Sequence, residues 1–368
     1  MKIAIVFDDL VQPGGAENLL LALTEIWPDA PVFTTCATQD WQNILAKRKV
    51  LLKTSFLQNV PFKEKLYRFF GPLLLYNLAI ESFDFSDYDV VLSMSARFAH
   101  GVITKPTTKH VCYMNSPGRM FWEPFTYFEQ EKSFLHSLLS APLSLLRIFD
   151  YASAQRVDYF IANSAIPQKR IKKFYNRSSE IIYPFVELPT SDLSALEQPT
   201  TEYFLVVSRL VAWKKIELAI KACESLGLNL VVVGDGPDKQ RLQNLSNGQT
   251  KFEGYVTSAR KHELYRGCLA FINTQYEDFG ITPLEAMSFG KPVIAYGKGG
   301  ALETVAPSVT GEFFYEQTSE SLENLLKSFN ALRYNAFTCR EHAMKYSKDV
   351  FIQKLKSFVL TVGKSDDI

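Results

Sequence analysis

A chain of 368 residues is too long for one ordinary core and suits two domains of roughly 150–200 residues each. Its apolar fraction of 47% and charged fraction of 21% are globular, and a net charge of +1 lacks the basic excess of a nucleic-acid binder. Cys36, Cys112, Cys223, Cys268 and Cys339 stand far apart with no C-x-x-C pair, which excludes a zinc knuckle or disulfide framework and points to a reducing, cytoplasmic compartment.

The opening run MKIAIVF is stopped by Asp8 and Asp9 well short of a signal-peptide core, so it reads as a first buried strand. No apolar stretch approaches the roughly 18 residues needed to cross a bilayer. Further strands are predicted at 31–35, 50–53, 89–93, 110–114 and 158–162, with helical patterns between them such as 16–27 and 166–174. After residue 202 the alternation resumes. Strands are predicted at 203–208, 229–233, 251–253, 269–273 and 292–295, and helices at 214–226 and 262–267. Continuous Val/Ile/Leu strands alternating with helices imply parallel sheets covered on both faces.

Residues 186–202 are polar, hold two prolines and lack periodicity, as a linker does. The expected organisation is a doubly wound domain over 1–185, a linker, and a second such domain over 203–345. A helix within 346–368 is expected to return to the first domain. Ligands of such sheets bind outside the carboxyl ends of the strands, so a cleft between the domains is the expected site.

Four motifs carry chemistry. FDDLVQPGGAEN ends the first strand with Gly14-Gly15, where backbone can approach a ligand and a helix N-terminus follows. SRLVAWKK puts Arg209 and Lys214 around the first turn of the second domain, where two cations can meet a diphosphate. EDFGITPLEAM holds Glu277 and Glu285 eight positions apart around a turn at Gly280. The two carboxylates can accept hydrogen bonds from sugar hydroxyls beside a phosphate-attracting helix end. The same residues also read as a capping box, with Thr282 as N-cap, Pro283 at the first helical position and Glu285 merely satisfying a backbone donor. PVIAYGKGGALETV supplies a second helix start, with Glu303 in its first turn. FEGYVTS adds a turn at Gly254-Tyr255-Val256 that can hold a base through backbone groups, though taken alone it reads first as a plain structural turn.

Taken in this order, Gly14-Gly15, Arg209 with Lys214, Glu277 with Glu285 and the Gly299–Val305 run resemble the retaining glycosyltransferases of family four, which have the GT-B fold. The resemblance covers nearly the whole chain and is strongest over 203–306. It implies that Arg209 and Lys214 bind the donor diphosphate, assisted by Gly14, Gly15, Phe279, Gly280 and Ile281. It implies that Glu277 holds hydroxyls of the transferred sugar and Glu285 those of the ribose; Gly254, Tyr255 and Val256 join the expected donor site on the reading of their turn above. Transfer in the family retains the anomeric configuration and uses no metal and no cofactor beyond the nucleotide sugar.

KHVCYMNSPGRMFWEP resembles a stretch of mannosyltransferase-like members, which usually carry histidine where Asn115 stands here. GDP-mannose is therefore the expected donor, with UDP-sugars as alternatives, and Asn115 and Arg119 are expected on the sugar or acceptor side. Trp122 is read equally as acceptor lining or as packing. The acceptor is expected to be a carbohydrate or lipid-linked glycan of a cell-surface polysaccharide or glycolipid pathway. The amphipathic segments 61–80 and 132–151 leave peripheral contact with the inner face of a membrane open beside a core role. Two rivals remain at this point: a GT-B UDP-sugar epimerase using His100 or His110, and a nucleotide-sugar-binding protein without catalysis.

Overall fold

The computed structural model describes residues 1–11, 14–71, 73–124, 133–189 and 202–364. It divides into two units, Met1–Tyr183 with Phe351–Ile368, and Pro184–Val350. Of the expected linker 186–202, residues 190–201 lie outside the described residues.

In the first unit the apolar runs become seven strands: β1 (Ile3–Phe7), β2 (Val32–Thr34), β3 (Leu52–Thr54), β4 (Val90–Ser95), β5 (Lys109–Met114), β6 (Tyr159–Ala162) and β7 (Ser179–Ile181). All pair in parallel, in the order β3-β2-β1-β4-β5-β6-β7. β7 was not predicted, because SEI is short and polar at its centre. Helices α1 (Gly15–Ile26), α2 (Gln39–Lys47), α3 (Lys63–Phe70), α4 (Leu75–Glu81), α5 (Arg119–Trp122), α6 (Ser133–Gln155) and α7 (Ala165–Arg170) connect the strands. α7 runs into one π-helical turn, Ile171–Tyr175. α2 is started by Thr38, whose hydroxyl accepts from the Trp41 N–H, and it presents Trp41 and Leu45 to the core.

The amphipathic segment 61–80 is two helices rather than one. Tyr76, Ala79 and Ile80 are buried while Leu66, Leu73 and Leu78 stay exposed. α6 likewise buries Leu143 and Leu146 and exposes Leu145, Ile148 and Phe149. Among the described residues no helix is long and apolar enough to cross a membrane.

The second unit has six strands: β8 (Phe204–Val207), β9 (Leu230–Val233), β10 (Thr250–Gly254), β11 (Ala270–Asn273), β12 (Val293–Tyr296) and β13 (Gly311–Phe314). They are parallel, in the order β10-β9-β8-β11-β12-β13. β13 also escaped prediction, since GEFFY is entered from a turn and has no long apolar run. Its helices are α8 (Ile216–Leu226), α9 (Lys239–Gln243), α10 (Ser258–Gly267), α11 (Ile281–Ser288), α12 (Ala301–Thr304), α13 (Ser319–Ser328) and α14 (Ala336–Met344). Leu210, Ile216, Ile220, Leu230, Val232, Ile272, Ile294 and Leu322 form its core, each side chain contributing about 1.5–3 kcal/mol when fully buried.

A final helix, α15 (Lys348–Val362), buries Phe351, Leu355, Val359 and Val362. Phe351 meets Tyr113 edge-on at 5.9 Å, and from Phe351 onward the chain belongs to the first unit. Both sheets reverse strand order once, at β1/β4 and at β8/β11. Those reversals are where open parallel sheets bind ligands.

Candidate active site

In the second unit the reversal brings the loop after β8 beside the loop after β11. Lys214 closes a short 3-10 turn, Ala212–Lys214, and Lys215 then caps α8 in the left-handed region at φ 53°. Lys214 is buried. Its ammonium pairs with Oε1 of Glu277 and lies 4.3 Å from the centre of the Trp213 ring. Its carbonyl accepts from the Thr274 hydroxyl at 2.9 Å, and the Thr274 carbonyl accepts from Gln317 at 2.9 Å. Ser208 donates to Gln275 at 3.3 Å, a second tie between the two loops. Arg209 is exposed, and among the described residues its guanidinium has no recorded partner. The expected meeting of two cations is thus half realised, with Lys214 engaged by protein and Arg209 open.

The loop from Glu277 turns at Gly280, whose φ of 89° is costly for any residue with a Cβ. α11 then starts at Ile281. This corrects the capping-box reading: Gly280 is the N-cap, Thr282 lies inside the helix, and Glu285 is its fifth residue. A carboxylate that far in cannot reach the first backbone donors. Glu285 instead accepts from the buried Tyr265 hydroxyl at 2.7 Å and pairs with Lys261 at 2.9 Å. Both partners come from one face of α10, which Thr257 caps by accepting from the Arg260 N–H. Sequence reasoning missed Lys261 and Tyr265, because a Lys and a Tyr four apart on a polar helix carry no signal of their own.

The Gly299–Val305 run presses against the same loop. The Gly300 N–H donates to the Glu277 carbonyl at 2.8 Å, and a Cβ on Gly300 would stand 2.3 Å from the Phe279 carbonyl oxygen. Phe279 itself is buried, 5.7 Å from the Tyr346 ring. The register of β10 shifts between Phe252 and Gly254, after which the Tyr255 side chain is 86% exposed and Val256 half-buried. An exposed aromatic ring there offers a face on which a planar base can stack.

In the first unit, Gly14 precedes α1 in extended backbone and Gly15 opens the helix. Gln12 and Pro13 of the same turn lie outside the described residues. Behind them is a buried acidic group. Asp8 accepts four consecutive backbone N–H bonds, from Ala96, Arg97, Phe98 and Ala99, at 2.6–3.0 Å. Asp9 accepts from Tyr76 at 3.0 Å and pairs with Arg97. Burial pushes the Asp9 carboxyl above its usual range against the pull of Arg97, and burial lifts Glu17 to about 7.

Asn115 stands half-buried at the end of β5, its N–H donating to the Ser95 carbonyl at 2.8 Å. Arg119 is half-buried, 3.7 Å from Glu123. Trp122 is packing: its indole N–H donates to Asp150 at 2.6 Å, and its ring stacks on Phe174 at 4.9 Å. His100 and His110 are both essentially inaccessible, and burial lowers the His110 imidazole to about 3. Neither can serve a substrate as the acid or base that an epimerase would need.

Comparison with known proteins fits this geometry. Residues 192–348 match the family model described as Glycosyl transferases group 1. The alpha-1,3/1,6-mannosyltransferase ALG2 of Candida glabrata is 24% identical over 60% of this chain, and that of Mus musculus 27% identical over 64%. The matches span 61% and 66% of the length of those two proteins. Among solved structures, Anabaena Alr3699/HepE in complex with UDP superposes with a TM-score of 0.71 at 19% identity, covering 98% of this chain and 100% of that one. Sucrose-phosphate synthase of Thermosynechococcus elongatus gives 0.71 at 15% identity, with 98% and 99% covered. The fold is therefore GT-B. Within it, the second unit carries the glycosyltransferase group 1 match, and the Lys214–Glu277 pair lies inside that matched span.

Proposed function

We propose that the protein is a retaining glycosyltransferase that moves a hexose from a nucleoside diphosphate sugar to a carbohydrate or lipid-linked acceptor without a metal. The observation that carries the reading is the Lys214–Glu277 pair at the strand-order reversal of the group 1 domain. Arg209 and Lys214 neutralise the diphosphate, and Arg209 is the cation left open for it. Glu277 accepts from hydroxyls of the transferred sugar, and Glu285, steadied by Tyr265 and Lys261, accepts from the ribose. Backbone N–H groups at Gly280 and Ile281 are donors for phosphate oxygens. In the transfer the bond from the anomeric carbon to the donor phosphate breaks, and a bond to the acceptor oxygen forms on the same face. The acceptor proton goes to the departing phosphate.

GDP-mannose is the donor we favour, on the strength of the ALG2 mannosyltransferases and the 109–124 stretch. A UDP-hexose is the second reading, favoured by structures such as HepE in complex with UDP and UDP-glucose. A thermal-shift panel of GDP- and UDP-sugars decides, since ligand at a hundred times Kd stabilises by about 2.7 kcal/mol. Absence of any shift with every nucleotide sugar sinks the proposal, and turnover unchanged in Arg209→Ala and Glu277→Ala sinks the site. For the acceptor we propose a glycan presented at the inner face of a membrane, approached by the exposed Leu145, Ile148 and Phe149 of α6. Failure to float with anionic vesicles removes that part.

A further inference from the structure

The segment 115–123, which carries Asn115 and Arg119, is held by two buried charged groups from other elements. Asp150 of α6, 3% exposed, is one. Its Oδ2 accepts from the Trp122 indole at 2.6 Å and from the Tyr175 hydroxyl at 2.7 Å. Its Oδ1 lies 3.2 Å from His100 Nε2, a contact not aligned as a hydrogen bond, and His100 Nδ1 meets the Ser95 hydroxyl at 2.9 Å. Ser95 in turn accepts the N–H of Asn115 through its carbonyl. The carboxylate thus holds Trp122 directly, and its charge lies against His100, whose other ring nitrogen meets the hydroxyl of Ser95, the residue that receives the Asn115 N–H. Arg170 is the second clamp, on Ser116 at 3.1 Å and on Glu123 at 2.8 and 3.1 Å.

Burying an ion is costly, and for stability alone an apolar contact of the same size serves as well. What charged clamps supply is a fixed geometry. The π-helical turn Ile171–Tyr175 serves the same segment, placing Phe174 on the Trp122 ring while Tyr175 reaches Asp150. Two charges and a helix irregularity converge on residues 115–123, the turn after β5 and the short helix α5.

We propose that Asp150 is a positioning residue, setting where Asn115 and Arg119 stand and thereby the rate at which sugar is transferred. The inference rests on the transferase reading above. Its test compares Asp150→Ala and Asp150→Asn in the full-length protein, with three readouts: affinity for UDP and GDP by calorimetry, kcat with the sugar nucleotide that the wild type turns over, and amide hydrogen exchange of 115–123. The carboxamide oxygen of Asn can accept from both Trp122 and Tyr175, and its NH2 can donate to His100 in the other tautomer. Asp150→Ala is expected to lower kcat at least tenfold and speed exchange in 115–123, with nucleotide affinity within twofold of wild type. Asp150→Asn is expected to stay within threefold on all readouts.

Alanine within threefold of wild-type kcat, loss of nucleotide affinity in parallel with kcat, or no rescue by Asn overturns the inference. If the alanine variant does not fold, Trp122→Phe carries the test: it removes the bond to Asp150 and keeps a smaller aromatic ring against Phe174, so a three- to tenfold fall in kcat at unchanged affinity is expected, and no fall overturns. A wild type that binds neither nucleotide ends the transferase reading first, and this inference with it.

Discussion

Lys214 and Glu277, sixty-three residues apart in the chain, are joined side chain to side chain with 11% and 19% of their surfaces exposed. Neither is left as an isolated buried charge, and each fixes the other's rotamer before any ligand arrives. Removing one partner strands the other. Lys214→Met is expected to destabilise the second unit by about 3 kcal/mol, the low end for breaking a buried pair because some surface is exposed. Under the proposed chemistry it also lowers kcat about 10²–10³-fold, as loss of a preorganised electrostatic contact does. The double variant Lys214→Met/Glu277→Gln should recover part of the stability and none of the turnover. Urea titration beside an activity assay checks both.

Tyr265 and Glu285 give a prediction that separates binding from folding. Tyr265→Phe removes the donor while preserving the ring packed on Phe289 at 5.5 Å. Glu285 keeps Lys261 and some solvent, so the stability cost is about 1 kcal/mol. A loosened Glu285 should raise KM for the nucleotide sugar several-fold while kcat holds. A fall in kcat at constant KM would show that Glu285 acts on the reacting sugar instead.

Much of the fold was legible because buried parallel strands advertise themselves. Runs such as IAIVF and LVVV have no polar break, and their neighbours carry helical periods. β7 and β13 were not, because strands such as SEI and GEFF are too short to show a period. At the site, Glu277 and Glu285 stood out by spacing, but their partners did not. The Thr282-Pro283 pair mimicked a helix start so well that the true boundary, set by the positive φ of Gly280, was hidden. Asp150 and Arg170 could not be found from sequence at all, since nothing local shows a charge turned inward to another element.

Gly300 tests how closely two backbones meet. Its missing side chain lets it sit on Phe279 while it donates to Glu277. Because the obstacle to a Cβ is backbone, Gly300→Ala must push the Glu277–Gly280 loop away. A cost of about 1–3 kcal/mol is expected, in the range for overpacking, with loss of nucleotide affinity by thermal shift. Ala at the open Gly227 cannot serve as the control, because φ is 65° there. Ser328→Ala at an exposed helix end is a neutral reference.

Glu17 makes the stability of the first unit depend on pH. Burial raises its carboxyl from the usual 4.5 to about 7, with Asp9 adding to the shift and Arg97 opposing it. Between those values the folded state holds a proton that the unfolded state has released. Stability from this group is therefore full below pH 4.5 and is lost as pH rises through 7. At about 1.36 kcal/mol per unit the loss approaches about 3 kcal/mol. Glu17→Gln cannot ionise and should escape it. The variant is expected to match the wild type near pH 4.5 and to exceed it by about 2–3 kcal/mol at pH 8. Paired denaturant titrations at the two pH values check this, and equal stability at pH 8 would show that Glu17 ionises there without penalty.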